Sequence, residues 1–185
     1  DPADASAVHI VIEPSMGFGT GHHASTRLCL KLLQRHPSVG GRVLDVGTGS
    51  GVLGIAAWRL GAVSVLAVDS DPDAIEAAAD SVARNEARGH VELAVREIAH
   101  EAPAERYDLT FANLTGGLLI RIAPVLIGSL SPGGSLIASG FQIHERAEVG
   151  AALGAAGAEV VDEASEDGWV GVRVEGGGWR VEVRG

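Results

Sequence analysis

One stretch limits the possible folds more than any other. Val43-Leu44-Asp45-Val46 is a short, mostly apolar run that passes without a break into Gly47-Thr48-Gly49-Ser50-Gly51. A helical pattern follows from Val52 to Leu60, and a second β-branched run, Val63 to Val68, ends in Asp69. Runs of this length and composition suit strands buried on both faces. Strand, helix, strand in that order requires a right-handed crossover and parallel pairing. Glycines at a strand tip accept left-handed φ and let a ligand approach the backbone closely. In open α/β sheets, ligands bind outside the carboxyl ends of the strands, where the crossovers diverge.

The same alternation extends along the chain. Val8 to Ile12 reads as a strand stopped by Pro14, and Gly17 to Gly21 as a glycine-rich loop. A helix is predicted from His23 to His36, with Leu28, Cys29, Leu32 and Leu33 on one apolar stripe. Asp71-Pro72 supplies an N-cap and a first-turn proline for a helix reaching about Arg88. Strands are predicted at Val91 to Val95, Tyr107 to Ala112 and Ser135 to Ser139, the last after a turn at Pro132-Gly133-Gly134. Helices are predicted at Gly117 to Leu130 and from about Ile143 to Ala156. Three more strands, Ala158 to Asp162, Trp169 to Glu175 and Trp179 to Arg184, finish the pattern. Only Gly176-Gly177-Gly178 joins the last two, too short for a crossover, so they are expected to pair antiparallel. The expected fold class is α/β: a doubly wound, mostly parallel seven-stranded sheet with an antiparallel C-terminal hairpin. Residues 1–185 are read as one domain, with a leader strand, loop and helix over 1–40 and the core over 41–185.

Composition narrows the function classes. Apolar residues at 46% and charged residues at 21% suit a packed core. Fourteen Lys and Arg against twenty-four Asp and Glu leave a net charge of −10, which repels phosphate backbones. Three Phe, three Trp and one Tyr leave little for base stacking, so no direct nucleic acid partner is expected. No apolar run approaches the roughly 20 residues of a bilayer span. The single Cys29 excludes an internal disulfide and a multi-cysteine zinc site, and a cytoplasmic setting is expected. The adjacent His22 and His23 lack a nearby acid, so no metal site is expected. The opening Asp1-Pro2-Ala3 has no initiator Met and reads as a processed chain or part of a longer one.

The glycine spacing separates the possible ligands. A dinucleotide fingerprint needs G-x-G-x-x-G, yet Val52 occupies the place of its third glycine. No Gly-Lys-Ser or Gly-Lys-Thr occurs, so Walker-type phosphate binding is excluded. Asp45 ahead of the glycines would oppose phosphates but suits an ammonium, and it tolerates a sulfonium. Asp69 at the second strand tip can accept both hydroxyls of an adenosine ribose. These features point to S-adenosylmethionine rather than NAD, with a purely structural glycine turn or a degenerate Rossmann domain as alternatives.

Asp45 to Gly51 followed by Asp69 resembles the class I S-adenosylmethionine methyltransferases. More narrowly, Phe18-Gly19-Thr20-Gly21-His22-His23-Ala24-Ser25-Thr26-Arg27-Leu28-Cys29-Leu30 is similar to the leader of the PrmA family, which methylates amino groups of ribosomal protein L11. Ala112-Asn113-Leu114 stands where that family has Ala-Asn-Ile or Ala-Asn-Leu. The resemblance runs from about Ile12 to Val174. It implies that Gly47, Thr48 and Gly49 lie against the amino-acid part of the cofactor and that Asp69, with Ser70 beside it, takes the ribose. It further implies that Thr26 meets the methionine carboxylate and that Phe18, Gly19 and Thr20 belong to a lid. The side-chain oxygen of Asn113 and the carbonyl of Leu114 would accept hydrogen bonds from the substrate amine. The adenine would lie near Arg96 to Ile98.

Departures accompany the likeness. The N-terminal domain with which the family grips its substrate has no counterpart here, and Thr115-Gly116-Gly117 matches the family less closely. The expected function is methyl transfer to a lysine side chain or N-terminus of a protein, ribosomal protein L11 foremost. A methyltransferase for another protein lysine or a small-molecule amine, or a non-catalytic adenosine-binding domain, stays open.

Overall fold

The computed structural model describes residues 7–12, 23–98 and 102–176. Two-sided burial decides the centre of the fold. β1 (Arg42–Val46) is buried at every position after its first, and β4 (Tyr107–Asn113) is buried along most of its length. Both therefore lie inside the sheet, covered on each face. β2 (Ser64–Asp69) and β3 (Val91–Val95) extend it on one side. β5 (Leu130–Gln142), β6 (Ala158–Glu166) and β7 (Trp169–Gly176) extend it on the other. The strand order is β3-β2-β1-β4-β5-β7-β6. β7 runs against β5 and β6, and the remaining pairings are parallel. The expected α/β class and mixed seven-stranded sheet are what the chain forms.

Helices cover both faces. α1 (Ala24–Arg35), α2 (Val52–Arg59) and α3 (Pro72–Arg84) lie on one, and α4 (Gly116–Gly128) and α5 (Arg146–Ala155) on the other. The α1 stripe is as predicted: Leu28, Cys29, Leu32 and Leu33 are fully buried. Burial also pushes the Cys29 thiol far above its ordinary range, so it behaves as a core apolar group. At α3, Asp71 caps by accepting from the Asp73 N–H at 2.9 Å, and Pro72 holds the first turn.

Four expectations change. Val8 to Ile12 forms no strand; the side chain of Asn85 serves as its partner instead, accepting from the Val11 N–H and donating to the Val11 carbonyl, both at 2.8 Å. Ile10 and Ile12 then reach the core through this single amide clamp. α3 stops at Arg84 rather than Arg88, and this frees Asn85 for the clamp. β5 does not begin at Ser135: it starts at Leu130 opposite Tyr107 and bulges across Pro132 to Gly134 before Ser135 meets Leu109.

The C-terminal hairpin is the fourth change. The strand expected at Trp179 to Arg184 lies outside the described residues, and among the described residues Trp169 to Gly176 pairs with β5 and β6. Both edges of β7 are already occupied, by β5 and β6. The hairpin is β6 with β7, turned by Asp167 (φ 51°) and Gly168 (φ 80°), the two left-handed residues a tight two-residue turn requires.

Candidate active site

β1 has β2 on one side and β4 on the other, so the crossovers leaving β1 and β4 diverge between them. A cleft of about 630 Å³ opens there, outside the carboxyl ends of β1, β2, β3 and β4. Its volume is within the range of small-molecule sites. The glycine loop forms one wall. Gly47 and Thr48 donate backbone N–H bonds to the Val68 carbonyl at 2.9 and 3.0 Å, tying the loop to the end of β2. Gly47 has φ 70°, and a Cβ there would meet Cδ2 of Leu114 at 2.5 Å. The position therefore disfavours a side chain by conformation, and a Cβ there would have to displace the end of the Leu114 side chain.

Two aspartates hold this loop from different directions. Asp69 lines the cleft; its Oδ2 accepts from the Gly49 N–H at 3.0 Å and its Oδ1 from the Asp71 N–H at 3.1 Å. Asp45 is only 1% exposed and lies below the loop, where its Oδ2 accepts from the Thr48 hydroxyl at 2.6 Å and the Gly54 N–H at 3.2 Å. Burial pushes its carboxyl up to about 6, against the two hydrogen bonds that favour the ionised form, and the nearby Asp69 charge adds to the rise. Asp45 is not among the residues that line the cleft; it lies beneath the loop.

The opposite wall comes from the end of β4. Asn113 and Leu114 line the cleft, and Leu118 and Arg121 of α4 continue it. The Leu114 N–H donates to the Ser139 carbonyl at 2.9 Å, and Gly140 (φ 94°) packs so closely on the Leu114 peptide that a Cβ there would collide with its carbonyl. Asn113 Nδ2 donates to Thr26 Oγ1 at 3.2 Å. Thr26 itself is 1% exposed and stands behind Asn113.

The structure thus gathers Gly47, Thr48, Gly49, Asp69, Ser70, Asn113 and Leu114 around one cleft and sets Thr26 and Asp45 behind it. Phe18, Gly19 and Thr20 lie outside the described residues. Arg96 to Ile98 line the far end, where the sequence put the adenine. Sequence reasoning missed Ala74, Ala77, Leu118, Arg121 and Ile122. The signal was available in part: positions 74 and 77, and 118, 121 and 122, share a face by helical spacing. His23 caps α1 through its ring and meets Trp169 edge-on, with 4.6 Å between ring centroids. Among the described residues no group of three or more metal-ligating side chains occurs, and no helix is long and apolar enough to cross a membrane.

The family model described as "Ribosomal protein L11 methyltransferase (PrmA)" matches residues 1–176. The chain belongs to the PrmA family. A PrmA relative from Pelotomaculum thermopropionicum, named ribosomal protein L11 methyltransferase, is 44% identical over 168 residues, covering 91% of this chain and 54% of its own length. One of the same name from Chloroflexus aurantiacus is 40% identical, covering 88% and 57%. The chain therefore spans about half the length of the curated relatives it matches. Among solved structures, a ribosomal protein L11 methylase from Lactobacillus delbrueckii subsp. bulgaricus superposes with a TM-score of 0.82 at 28% identity, covering 90% of this chain and 84% of that one. The N-methyltransferase NodS from Bradyrhizobium japonicum, solved with S-adenosyl-L-homocysteine, shares the fold at a TM-score of 0.64 and 18% identity, covering 80% and 83%.

Proposed function

We propose that this chain carries an S-adenosylmethionine-dependent N-methyltransferase activity toward amino groups of a protein, with ribosomal protein L11 as its substrate. One observation carries the reading. Asn113 and Leu114 face the Gly47–Gly51 loop and Asp69 across the β1–β4 switch point, in a single cleft. Membership of the PrmA family and the names of its relatives support the substrate.

The residues fit the cofactor. Each oxygen of Asp69 has one backbone donor, which orients the carboxylate and leaves lone pairs for both ribose hydroxyls. Gly47 and Gly49 leave the loop surface bare for the amino-acid part, while Thr48 turns its hydroxyl inward to Asp45. The Asp45 charge beneath the loop suits a cationic ligand above it. Ser70 is on the exposed rim, and the buried Ile98 offers an apolar surface for the adenine. The lid role of Phe18, Gly19 and Thr20 rests on the family resemblance.

When bound, S-adenosylmethionine supplies a methyl carbon on a positively charged sulfur, and because a neutral thioether departs, no general acid is needed. The chain's own residues position the nucleophile. Asn113 Oδ1 and the Leu114 carbonyl accept N–H bonds from the substrate amine and aim its lone pair. Leu114 and Leu118 keep water from that side of the cleft. A lysine ammonium must first lose a proton, and solvent at the open mouth takes it.

The test is incubation with S-adenosylmethionine and purified ribosomal protein L11, read by mass spectrometry of the intact substrate and its peptides. Added methyl groups on lysine or the N-terminus are the expected result. An unmodified substrate, with cofactor binding verified by calorimetry, overturns the substrate assignment. Absence of any cofactor binding overturns the whole reading.

A further inference from the structure

We propose that the bulge of β5 at Ser139 and Gly140 is a positioning device that keeps the Leu114 carbonyl free to accept from the substrate amine, an assignment that rests on the reading of Leu114 given above.

Parity along β5 reveals an extra residue. Leu136 and Ala138 pack on the α4–α5 face of the sheet and Ile137 on the opposite one. Strict alternation would send Phe141 to the face of Ile137. It packs with Leu136 and Ala138 instead, because the three steps of β5 from Ala138 to Phe141 match only two of β7, from Val172 to Val170. A bulge of this kind bends its strand and disrupts the ladder locally. Gly140 supplies the left-handed conformation, with φ 94°. The fully buried Ser139 donates its hydroxyl to the Val170 carbonyl at 2.7 Å and fastens the bulge to β7.

The consequence falls on the β4 side of the same strand. The Leu114 N–H donates to the Ser139 carbonyl at 2.9 Å, so a regular parallel ladder would continue with the Phe141 N–H donating to the Leu114 carbonyl. The bulge turns Phe141 toward Val170 of β7 instead. Ile143, two residues on, keeps this phase by donating its N–H to the Gly168 carbonyl at 2.9 Å. The next N–H on the β4 side is that of Gln142, displaced by one residue, and Glu145 Oε2 accepts it at 2.8 Å. Among the described residues no N–H donates to the Leu114 carbonyl. Backbone acceptors away from bulk water are almost always paired, so this one, part-buried in a cleft wall, is left to solvent or a ligand N–H. Gly140 also fixes the peptide that carries it: a Cβ there would collide with the Leu114 carbonyl oxygen and lie 2.8 Å from its carbon.

Deletion of Gly140 tests the device. Phe141 then follows Ser139 directly, stays opposite Val170 on its present face, and brings the Gln142 N–H into register with the Leu114 carbonyl. Because β5 becomes regular, the thermal unfolding temperature should not fall, and the Gln142 amide should exchange with solvent more slowly. Affinity for S-adenosylhomocysteine should stay within about twofold, while kcat on ribosomal protein L11 falls by about tenfold, the worth of one hydrogen bond to the amine. Gly140→Ala reaches the same carbonyl by collision rather than by pairing, and it should also lower kcat with cofactor affinity kept. Its control is Gly133→Ala, which carries the backbone cost at φ 78° with nothing within 4 Å. This pair decides the matter if the deletion does not fold. A deletion with a protected Gln142 amide and wild-type kcat overturns the proposal. So does a cofactor affinity that falls as far as kcat, or a Gly140→Ala enzyme no slower than Gly133→Ala. A wild type that binds cofactor yet methylates no amine breaks the functional reading, and the purpose of the bulge with it; the other failures leave that reading standing.

Discussion

Thr48 donates its hydroxyl to the buried Oδ2 of Asp45 at 2.6 Å, so the glycine loop is fastened from below by a carboxylate that solvent barely reaches. Burial raises that carboxyl to about 6 from an ordinary value near 3.8. The folded state therefore binds more protons than the unfolded state between those two values. Stability from this group is greatest below about pH 4, falls as pH rises through the window, and levels off above about 6. Asp45→Asn should remove this slope. The stability of the wild type relative to that variant should drop by on the order of 2–3 kcal/mol between pH 4 and pH 7. Urea titrations at a series of pH values measure it; parallel curves for the two proteins would refute the assignment.

At the cleft surface the second aspartate has the opposite duty. Asp69→Ala removes the acceptor for the Gly49 and Asp71 N–H groups as well as the proposed ribose partner. Charge-assisted bonds of this kind are worth about 1.5–3 kcal/mol each, so S-adenosylhomocysteine should bind at least tenfold more weakly. Thermal unfolding should change little by comparison, because Asp69 is partly exposed. Calorimetry giving wild-type affinity would remove Asp69 from the site.

Gly47→Ala tests the loop and the β4 tip together. A left-handed φ costs a residue with a Cβ about 1–2 kcal/mol, and the new methyl must push Leu114 aside. Both walls of the cleft should be disturbed, with weaker cofactor binding and a raised KM for the amine substrate. Alanine at Gly133, where a Cβ meets nothing within 4 Å despite φ 78°, serves as the control that isolates the backbone cost. Equal effects from the two substitutions would mean that the Leu114 contact is unimportant.

The local parts of this site were legible in the chain, and the non-local parts were not. Gly47, Gly49 and Asp69 sit at strand tips, where neighbouring residues alone define the turn, and Asp71-Pro72 announces its own helix. Asn113 is singled out by the resemblance of Ala112-Asn113-Leu114 to the family's motif. Partner choice is different in kind. Val8 to Ile12 has the composition of a strand, but a strand needs an open edge, and a single amide at the end of α3 takes its place. The sequence reading takes Gly176-Gly177-Gly178 for the hairpin turn and passes over Asp167-Gly168, which the pairing of β7 with both β5 and β6 brings out. The resemblance gives Thr26 and Asn113 separate roles, and only the folded chain brings their side chains together, at 3.2 Å.

The Asn85 clamp yields a stability prediction away from the cleft. Its amide is 3% exposed, with Oδ1 and Nδ2 both used on Val11 and Nδ2 also donating to the Ser81 carbonyl at 2.7 Å. Asn85→Ala removes the three side-chain hydrogen bonds, although the Ser81 carbonyl keeps the Asn85 backbone N–H, and should destabilise the fold by about 1–3 kcal/mol. Hydrogen exchange at the Val11 amide should accelerate by far more than exchange in β1. A Val11 amide that stays protected would mean that Ile10 and Ile12 hold the segment by packing alone.

Asn113→Asp separates geometry from charge at the proposed amine site. A carboxylate always presents an oxygen to the cleft, whichever way it turns, and the Thr26 hydroxyl can donate to its other oxygen. Hydrogen-bond acceptance toward the substrate is thus kept. The added negative charge, however, favours the ammonium form of a lysine within a few ångströms, raising the pKa of that amine from its ordinary value of about 10.4. Less neutral amine is then present at any given pH. The expected outcome is a kcat near pH 8 lower by roughly tenfold for each unit by which the amine pKa rises, with the rate climbing toward the wild-type value as pH increases. Cofactor affinity should hold or improve, since the sulfonium gains a nearby anion. A pH–rate profile that falls uniformly, with no displacement to higher pH, would show that the residue at 113 does not touch the amine.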